Sequence, residues 1–149
     1  MMSFQERIPL TVVGLSTLLY AGFIWRMRAA ADAGRFEGAE GLVYTGKSLL
    51  TFVGLFVVLT ILTLIGQAIV EAIRTGEEDV DTGEDERDRA YEFRSLRIQS
   101  GVTGVAFCAA MGALWAGYSA PLAIHVLFFG MYFGMVLGEL RKFCLYRAG

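Results

Sequence analysis

Residues 98–138 form a run of 41 amino acids without a single Asp, Glu, Lys or Arg. The hydrocarbon core of a bilayer is about 30 Å thick, and roughly 20 apolar residues cross it as a helix. The run is too long for one crossing and has the length of two, with a break at Tyr118-Ser119-Ala120-Pro121. We predict a transmembrane hairpin whose helices cover about residues 98–118 and 121–140.

Two other segments without acidic or basic residues, 8–25 and 48–70, are also long enough to cross a bilayer. We expect the first helix over about residues 8–28 and the second over about residues 47–73. With 149 residues and 55% hydrophobic content, one bundle leaves no room for a separate soluble domain. The predicted fold is therefore all-α, an integral membrane four-helix bundle that forms a single transmembrane domain over residues 1–149.

The orientation in the membrane follows from the Lys and Arg residues near the helix ends, which favour the cytoplasmic side. With four crossings, the two termini and the middle loop lie on one side of the membrane. That side carries nine Lys and Arg residues, and the opposite side carries four. We therefore expect both termini in the cytoplasm.

The middle loop begins with an acidic run and ends with the signals of a helix start. Thr82 stands three residues before Asp85, as in a capping box, and acidic residues in a first turn suit the helix dipole. After Gly83, no Gly or Pro interrupts the chain until Gly101. We expect the third helix to extend into the cytoplasm over about residues 83–97. The charged residues expected to meet a partner protein there are Glu84, Asp85, Glu86, Arg87, Asp88, Arg89, Arg94 and Arg97.

Small residues recur at helical spacing in the hairpin, which allows helices to approach closely in lipid. The fourth helix carries Gly130, Gly134 and Gly138, each four residues apart. The third helix carries two small faces on roughly opposite sides, one of which includes alanines at positions 106, 110 and 113. The other face includes Gly104, Cys108 and Gly112. The glycine ladder of the fourth helix therefore packs against either its own third helix or another copy. The spare small face of the third helix favours a homo-oligomer, with packing of the second helix on that face as the alternative.

A stripe of polar residues follows one face of the second helix at bilayer depth. Thr60, Thr63, Gln67 and Glu71 form the stripe, and His125 is the only histidine. Polar groups at this depth face protein or water. The stripe is interpreted as interhelical hydrogen bonding, with a polar path that opens to the cytoplasm as the alternative. His125 is interpreted as a hydrogen-bonded histidine near the interface, with proton transfer or pH sensing as the alternative.

The sequence predicts no cofactor, metal or catalytic site. One His per chain does not support haem or metal ligation, and the acidic loop lacks the bidentate Glu of an EF-hand, since Ala90 stands at that position. Cys108 and Cys144 form no Cys-x-x-Cys pair. Lys and Arg are too few and too scattered for a nucleic-acid footprint. We therefore expect neither an enzyme nor a nucleic-acid-binding protein.

The segment over residues 85–98, which begins Asp85-Glu86-Arg87-Asp88, resembles an element of small predicted prokaryotic membrane proteins of unknown function. In those proteins an Asp-Glu-Arg stretch runs into a charged helix just ahead of a membrane hairpin. The resemblance implies a protein of the bacterial inner membrane and implies no particular activity.

These observations lead us to expect an oligomeric accessory, scaffolding or regulatory subunit that docks through its charged cytoplasmic helix. Its expected partners are the lipid bilayer and either further copies of the chain or a larger membrane complex. The alternative is a small channel or transporter that uses the polar stripe of the second helix together with His125.

Overall fold

The computed structural model describes residues 4–76 and 86–148, and every regular element in this part of the chain is an α-helix. The helices are α1 (Phe4–Asp32), α2 (Gly38–Thr75), α3 (Glu86–Trp115) and α4 (Ala120–Ala148). Each is long and apolar enough to cross a membrane by length and composition. The predicted all-α four-helix bundle of a multi-pass membrane protein is confirmed at this level.

The helix α2 begins well before the predicted membrane segment. With 38 residues it is about 57 Å long at 1.5 Å per residue, which is nearly twice the thickness of the hydrocarbon core. The connection that precedes it reverses the chain with two glycines at positive φ, Gly34 (68°) and Gly38 (62°). Gly41 then lies so close to the backbone of Phe36 that a Cβ atom would collide with it. A helix can therefore start here only because residue 41 is a glycine.

A tight turn joins α3 to α4 at the break that the sequence indicates. Gly117 adopts a positive φ of 83°, and the Tyr118 N–H donates a hydrogen bond to the Ala113 carbonyl over 3.0 Å. Glycine suits such a turn because it has no Cβ to oppose the left-handed conformation. Since the turn is short, α3 and α4 run antiparallel along their whole length.

The helices pack unequally. Among the described helices, α3 packs along α4 alone, whereas α4 also contacts α1, and α1 contacts α2. An aromatic core lies where α1, α2 and α4 meet, with Phe23 and Phe52 buried at its centre. The Tyr20 ring stacks on the Tyr132 ring at 3.9 Å and 5°. The result is an open arrangement in which α3 lies at one edge.

Candidate functional site

The glycine ladder of α4 packs against the α3 of the same chain. A Cβ added to Gly130 would collide with the side chain of Ala106. A Cβ at Gly134 would lie 3.0 Å from the Gln99 carbonyl oxygen, and one at Gly138 would lie 2.8 Å from the Ser95 hydroxyl oxygen. The face of α3 that meets α4 is therefore the alanine face. The sequence leaves this choice open because both small faces of α3 have similar side-chain volumes.

The other small face of α3 has no neighbour in the described part of the chain. Gly104 and Gly112 have no atom within 4 Å of an added Cβ, and Cys108 is exposed. Residues three, four or seven positions apart lie on the same face of a helix, so this face continues to the charged, N-terminal end of α3. We call it the outer face of α3. It consists of Arg87, Arg94, Arg97, Gly101, Gly104, Cys108 and Gly112, all of which are exposed.

The charged residues predicted to meet a partner do not share one environment. Glu84 and Asp85 lie outside the described residues, while Glu86, Arg87, Arg89, Arg94 and Arg97 are exposed. Asp88 is only 6% exposed and lies near the Tyr146 hydroxyl. The Asp88 carboxylate therefore belongs to the α3–α4 interface, and among the described members of the set Glu86 and the four arginines are the ones that other molecules can reach.

The charged end of α3 is held against α4 by contacts between side chains. The rings of Tyr91 and Tyr146 meet edge to face, with centroids 5.2 Å apart. Glu92 of α3, the residue after Tyr91, forms an ion pair with Lys142 of α4. The extension predicted over residues 83–97 is thus not a free-standing helix in the part that the structure describes, because α4 continues to Ala148 and runs beside it.

The polar stripe of α2 meets α1. The Gln67 side-chain amide donates a hydrogen bond to the Thr11 hydroxyl. Glu71 pairs with Arg7 at 3.1 Å and with Arg74 at 3.9 Å. The contacts of Gln67 with Thr11 and of Glu71 with Arg7 are of the interhelical kind that the sequence indicates as the first interpretation of the stripe, whereas the Glu71–Arg74 pair lies within α2.

Thr60 and Thr63, the two other members of the stripe, differ in their hydrogen bonding. Thr63 donates a hydrogen bond to the Leu59 carbonyl of its own helix over 2.6 Å. The Thr60 hydroxyl oxygen and the Gln67 amide oxygen are buried and have no hydrogen-bond partner among the described residues. A groove of about 440 Å³ is lined by Arg7, Thr63 and Gln67, and Thr60 is not among its lining residues.

His125 of α4 lies far from the stripe. The stripe meets the N-terminal end of α1, and His125 lies beside the C-terminal end of α1. The groove beside the stripe is lined by Arg7, and a second cavity is lined by Arg28 together with His125. The two arginines are about 30 Å apart along α1, from 21 residues at 1.5 Å each. The structure therefore does not bring His125 and the α2 stripe together into one path.

The surroundings of His125 combine three parts of the chain. Its Nδ1 atom lies 2.6 Å from the Pro121 carbonyl oxygen, and its ring is surrounded by those of Phe23, Phe36 and Phe129. The cavity beside it has a volume of about 450 Å³. We call it the His125 cavity. Apart from His125, its lining residues are missed by sequence reasoning, because they come from α1, the α1–α2 connection, the α3–α4 turn and α4, and no local spacing links them.

No cluster of three or more His, Cys, Asp or Glu residues that could hold a metal ion occurs among residues 4–76 and 86–148. Comparison with protein-family models, with curated proteins and with solved structures finds no significant match to the chain. The functional argument therefore depends on the surfaces and the cavities of the molecule itself.

Proposed function

We propose that this protein is a non-enzymatic accessory, scaffolding or regulatory subunit of a complex in the bacterial inner membrane. The observation that carries the proposal is that α3 packs on α4 alone and leaves its outer face uncovered. In lipid, helices associate through small residues that let their backbones approach. The outer face offers three glycines for this purpose, and the alanine face already serves the internal contact.

The arginines on the outer face indicate the chemistry of the partner. Arg87, Arg94 and Arg97 continue the line of the glycines beyond the uncharged segment that begins at residue 98. A transmembrane helix that packs on the glycines would bring its own juxtamembrane residues beside these arginines. Acidic residues at that point of the partner would be stabilised by the three cations. With both termini in the cytoplasm, as the Lys and Arg distribution favours, this contact lies on the cytoplasmic side.

A second copy of the chain fits this face less well than an acidic partner. A two-fold contact between the outer faces of two α3 helices would place the arginine rows of both copies against each other. Like charges that face each other across an interface cost several kcal/mol. We therefore favour a different protein at the outer face, and a homo-oligomer that forms through this face is the less favoured form of the proposal.

Charge reversal on α3 tests the docking surface directly. Arg94 lies on the outer face, whereas Arg89 is equally exposed but points elsewhere on the same helix. We expect Arg94→Glu to release a co-purifying subunit and Arg89→Glu to retain it, at equal membrane insertion. Retention of the partner by both variants would contradict docking at this face.

A small channel or transporter is the second candidate, and the unpartnered oxygens of Thr60 and Gln67 favour it. A buried acceptor without a partner is satisfied by water or by a passing ion. If the groove beside α2 conducts, Gln67→Leu and Glu71→Gln will change flux in proteoliposomes. A protein that is inert both before and after these substitutions would eliminate this candidate.

A further inference from the structure

The His125 cavity has the composition of a ligand site. Its volume of about 450 Å³ falls within the roughly 300–1,000 Å³ of small-molecule pockets. The walls are mainly apolar and include Met27, Phe36 and Phe129, and the polar lining consists of Arg28, Ser119 and His125. Such pockets combine apolar walls with a few polar groups that fix the orientation of the ligand.

The hydrogen bond at Nδ1 determines what the other nitrogen of His125 can do. A carbonyl oxygen can only accept, so the Nδ1 atom beside the Pro121 oxygen carries the proton and donates it. In the neutral ring Nε2 is then an acceptor. His125 is 8% exposed, and Nε2 is buried without a hydrogen-bond partner in the described part of the molecule. Buried polar atoms are nearly always satisfied, so this atom lacks a hydrogen-bond donor.

Among the three phenylalanine rings around the imidazole, that of Phe36 lies closest. The Phe36 ring lies 5.3 Å from the imidazole and nearly perpendicular to it, at 83°. Phe36 belongs to the short connection between α1 and α2 and is only half-buried. Phe36 and His125 both line the His125 cavity, so the connection between α1 and α2 forms part of its wall.

The geometry points to a hydroxyl-bearing anionic lipid head group, such as that of phosphatidylglycerol, as the ligand of the His125 cavity. A head-group hydroxyl donates its hydrogen bond to His125 Nε2, and the phosphodiester charge faces the Arg28 guanidinium. The acyl chains remain in the bilayer beside the exposed apolar surfaces of α1 and α4. A contact between a phosphate oxygen and a guanidinium is charge-assisted and is stronger than a hydrogen bond between neutral groups.

The test compares four probes on the purified full-length protein by native mass spectrometry titration in detergent. Phosphatidylglycerol carries both the hydroxyls and the charge, phosphatidylmethanol carries the charge alone, and phosphatidylcholine carries neither. Glycerol 3-phosphate carries the head-group chemistry without acyl chains. We expect phosphatidylglycerol to bind roughly three- to tenfold more tightly than phosphatidylmethanol, which is the effect of one hydrogen bond.

Two arginine variants test the charge without disturbing the core. Arg28 lines the His125 cavity, and Arg26 is a matched control because it is also exposed on α1 but lines a different groove. We expect Arg28→Gln to weaken phosphatidylglycerol binding roughly tenfold and Arg26→Gln to leave it unchanged. His125→Phe should abolish the preference for phosphatidylglycerol over phosphatidylmethanol, since it removes Nε2 and keeps an aromatic ring.

Each part of the proposal has an outcome that would overturn it. Equal binding of phosphatidylglycerol and phosphatidylmethanol by the native protein would exclude the hydroxyl–His125 hydrogen bond, even if His125→Phe fails to fold. Equal effects of Arg28→Gln and Arg26→Gln would exclude the charge contact. Binding of glycerol 3-phosphate as tight as that of phosphatidylglycerol would replace the lipid with a soluble phosphate ester as the ligand.

Discussion

One methyl group at Gly130 is enough to disturb the contact between α3 and α4, because an added Cβ would collide with Ala106. We expect Gly130→Ala to lower the free energy of unfolding by about 1–3 kcal/mol, as overpacking typically does. The measurement is unfolding of the purified protein in a denaturing-detergent titration.

Gly54 on α2 is the matched control for Gly130, since a Cβ at Gly54 would meet no described atom within 4 Å. We expect Gly54→Ala to be neutral or slightly stabilising, because alanine has the higher helix propensity. Equal effects of the two substitutions would show that Gly130 does not pack against α3 within one chain.

A second close contact lies at the start of α2. Replacement of a helical glycine by alanine normally stabilises a helix by up to about 1 kcal/mol. At Gly41 the added Cβ would instead collide with the backbone of Phe36. We expect Gly41→Ala to destabilise the protein by roughly 1–2 kcal/mol in the same titration, despite its better propensity.

Gly46 lies in the same helix and has no described atom within 4 Å of an added Cβ. Gly46→Ala should therefore be neutral or stabilising. Equal changes in the free energy of unfolding for Gly41→Ala and Gly46→Ala would contradict the close contact between Gly41 and the Phe36 backbone.

At the scale of the elements, the ion pair between Arg7 and Glu71 ties the N-terminal end of α1 to the C-terminal end of α2. The Glu71 side chain is 12% exposed and that of Arg7 is 32% exposed, so solvent screens the pair only in part. We expect a double-mutant cycle with Arg7→Gln and Glu71→Gln to give a coupling energy of about 1 kcal/mol.

Arg74 also lies within 3.9 Å of Glu71, which makes Arg74→Gln an internal comparison for this cycle. Because that contact is longer and more exposed, its coupling to Glu71 should be smaller than the coupling of Arg7. A coupling near zero for Arg7 would mean that α1 and α2 do not meet through these residues.

The sequence predicts the elements well because lipid imposes strong rules on them. The lengths of the uncharged runs indicate four helices, and Gly117 lies beside the break expected at Tyr118-Ser119-Ala120-Pro121. The early start of α2 is not predicted, because glycines at 38 and 41 usually indicate a loop. The close approach of the Phe36 backbone to Gly41 explains why the first turn of α2 has a glycine at this position.

The relations between elements are the part that sequence reasoning cannot supply. The side chains on the two small faces of α3 have similar volumes. Composition therefore does not indicate which face meets α4, and the contacts in the structure show that it is the alanine face. The burial of Asp88 beside Tyr146 depends on the register of the α3–α4 pair. The His125 cavity likewise forms only when α1 and α4 meet, so no sequence spacing indicates it.

At the scale of the whole molecule, the open arrangement leaves α3 at an edge with a face that combines glycines and arginines. A Cβ added at Gly104 would meet no described atom within 4 Å, so Gly104→Leu places a larger side chain on this face at a position that is open in the separate chain. We expect it to abolish association with a partner while the free energy of unfolding of the separate chain stays unchanged. Gly54→Leu on α2 is the matched control and should leave association intact.

The most direct measurement is the intact mass of the native complex after extraction in a mild detergent. The chain contributes 16.3 kDa per copy. The proposed accessory role predicts a stoichiometric foreign subunit in addition to this mass, and its loss in the Arg94→Glu and Gly104→Leu variants. A mass that is a pure multiple of 16.3 kDa, unchanged in both variants, would contradict docking at the outer face of α3 and would favour the channel or transporter.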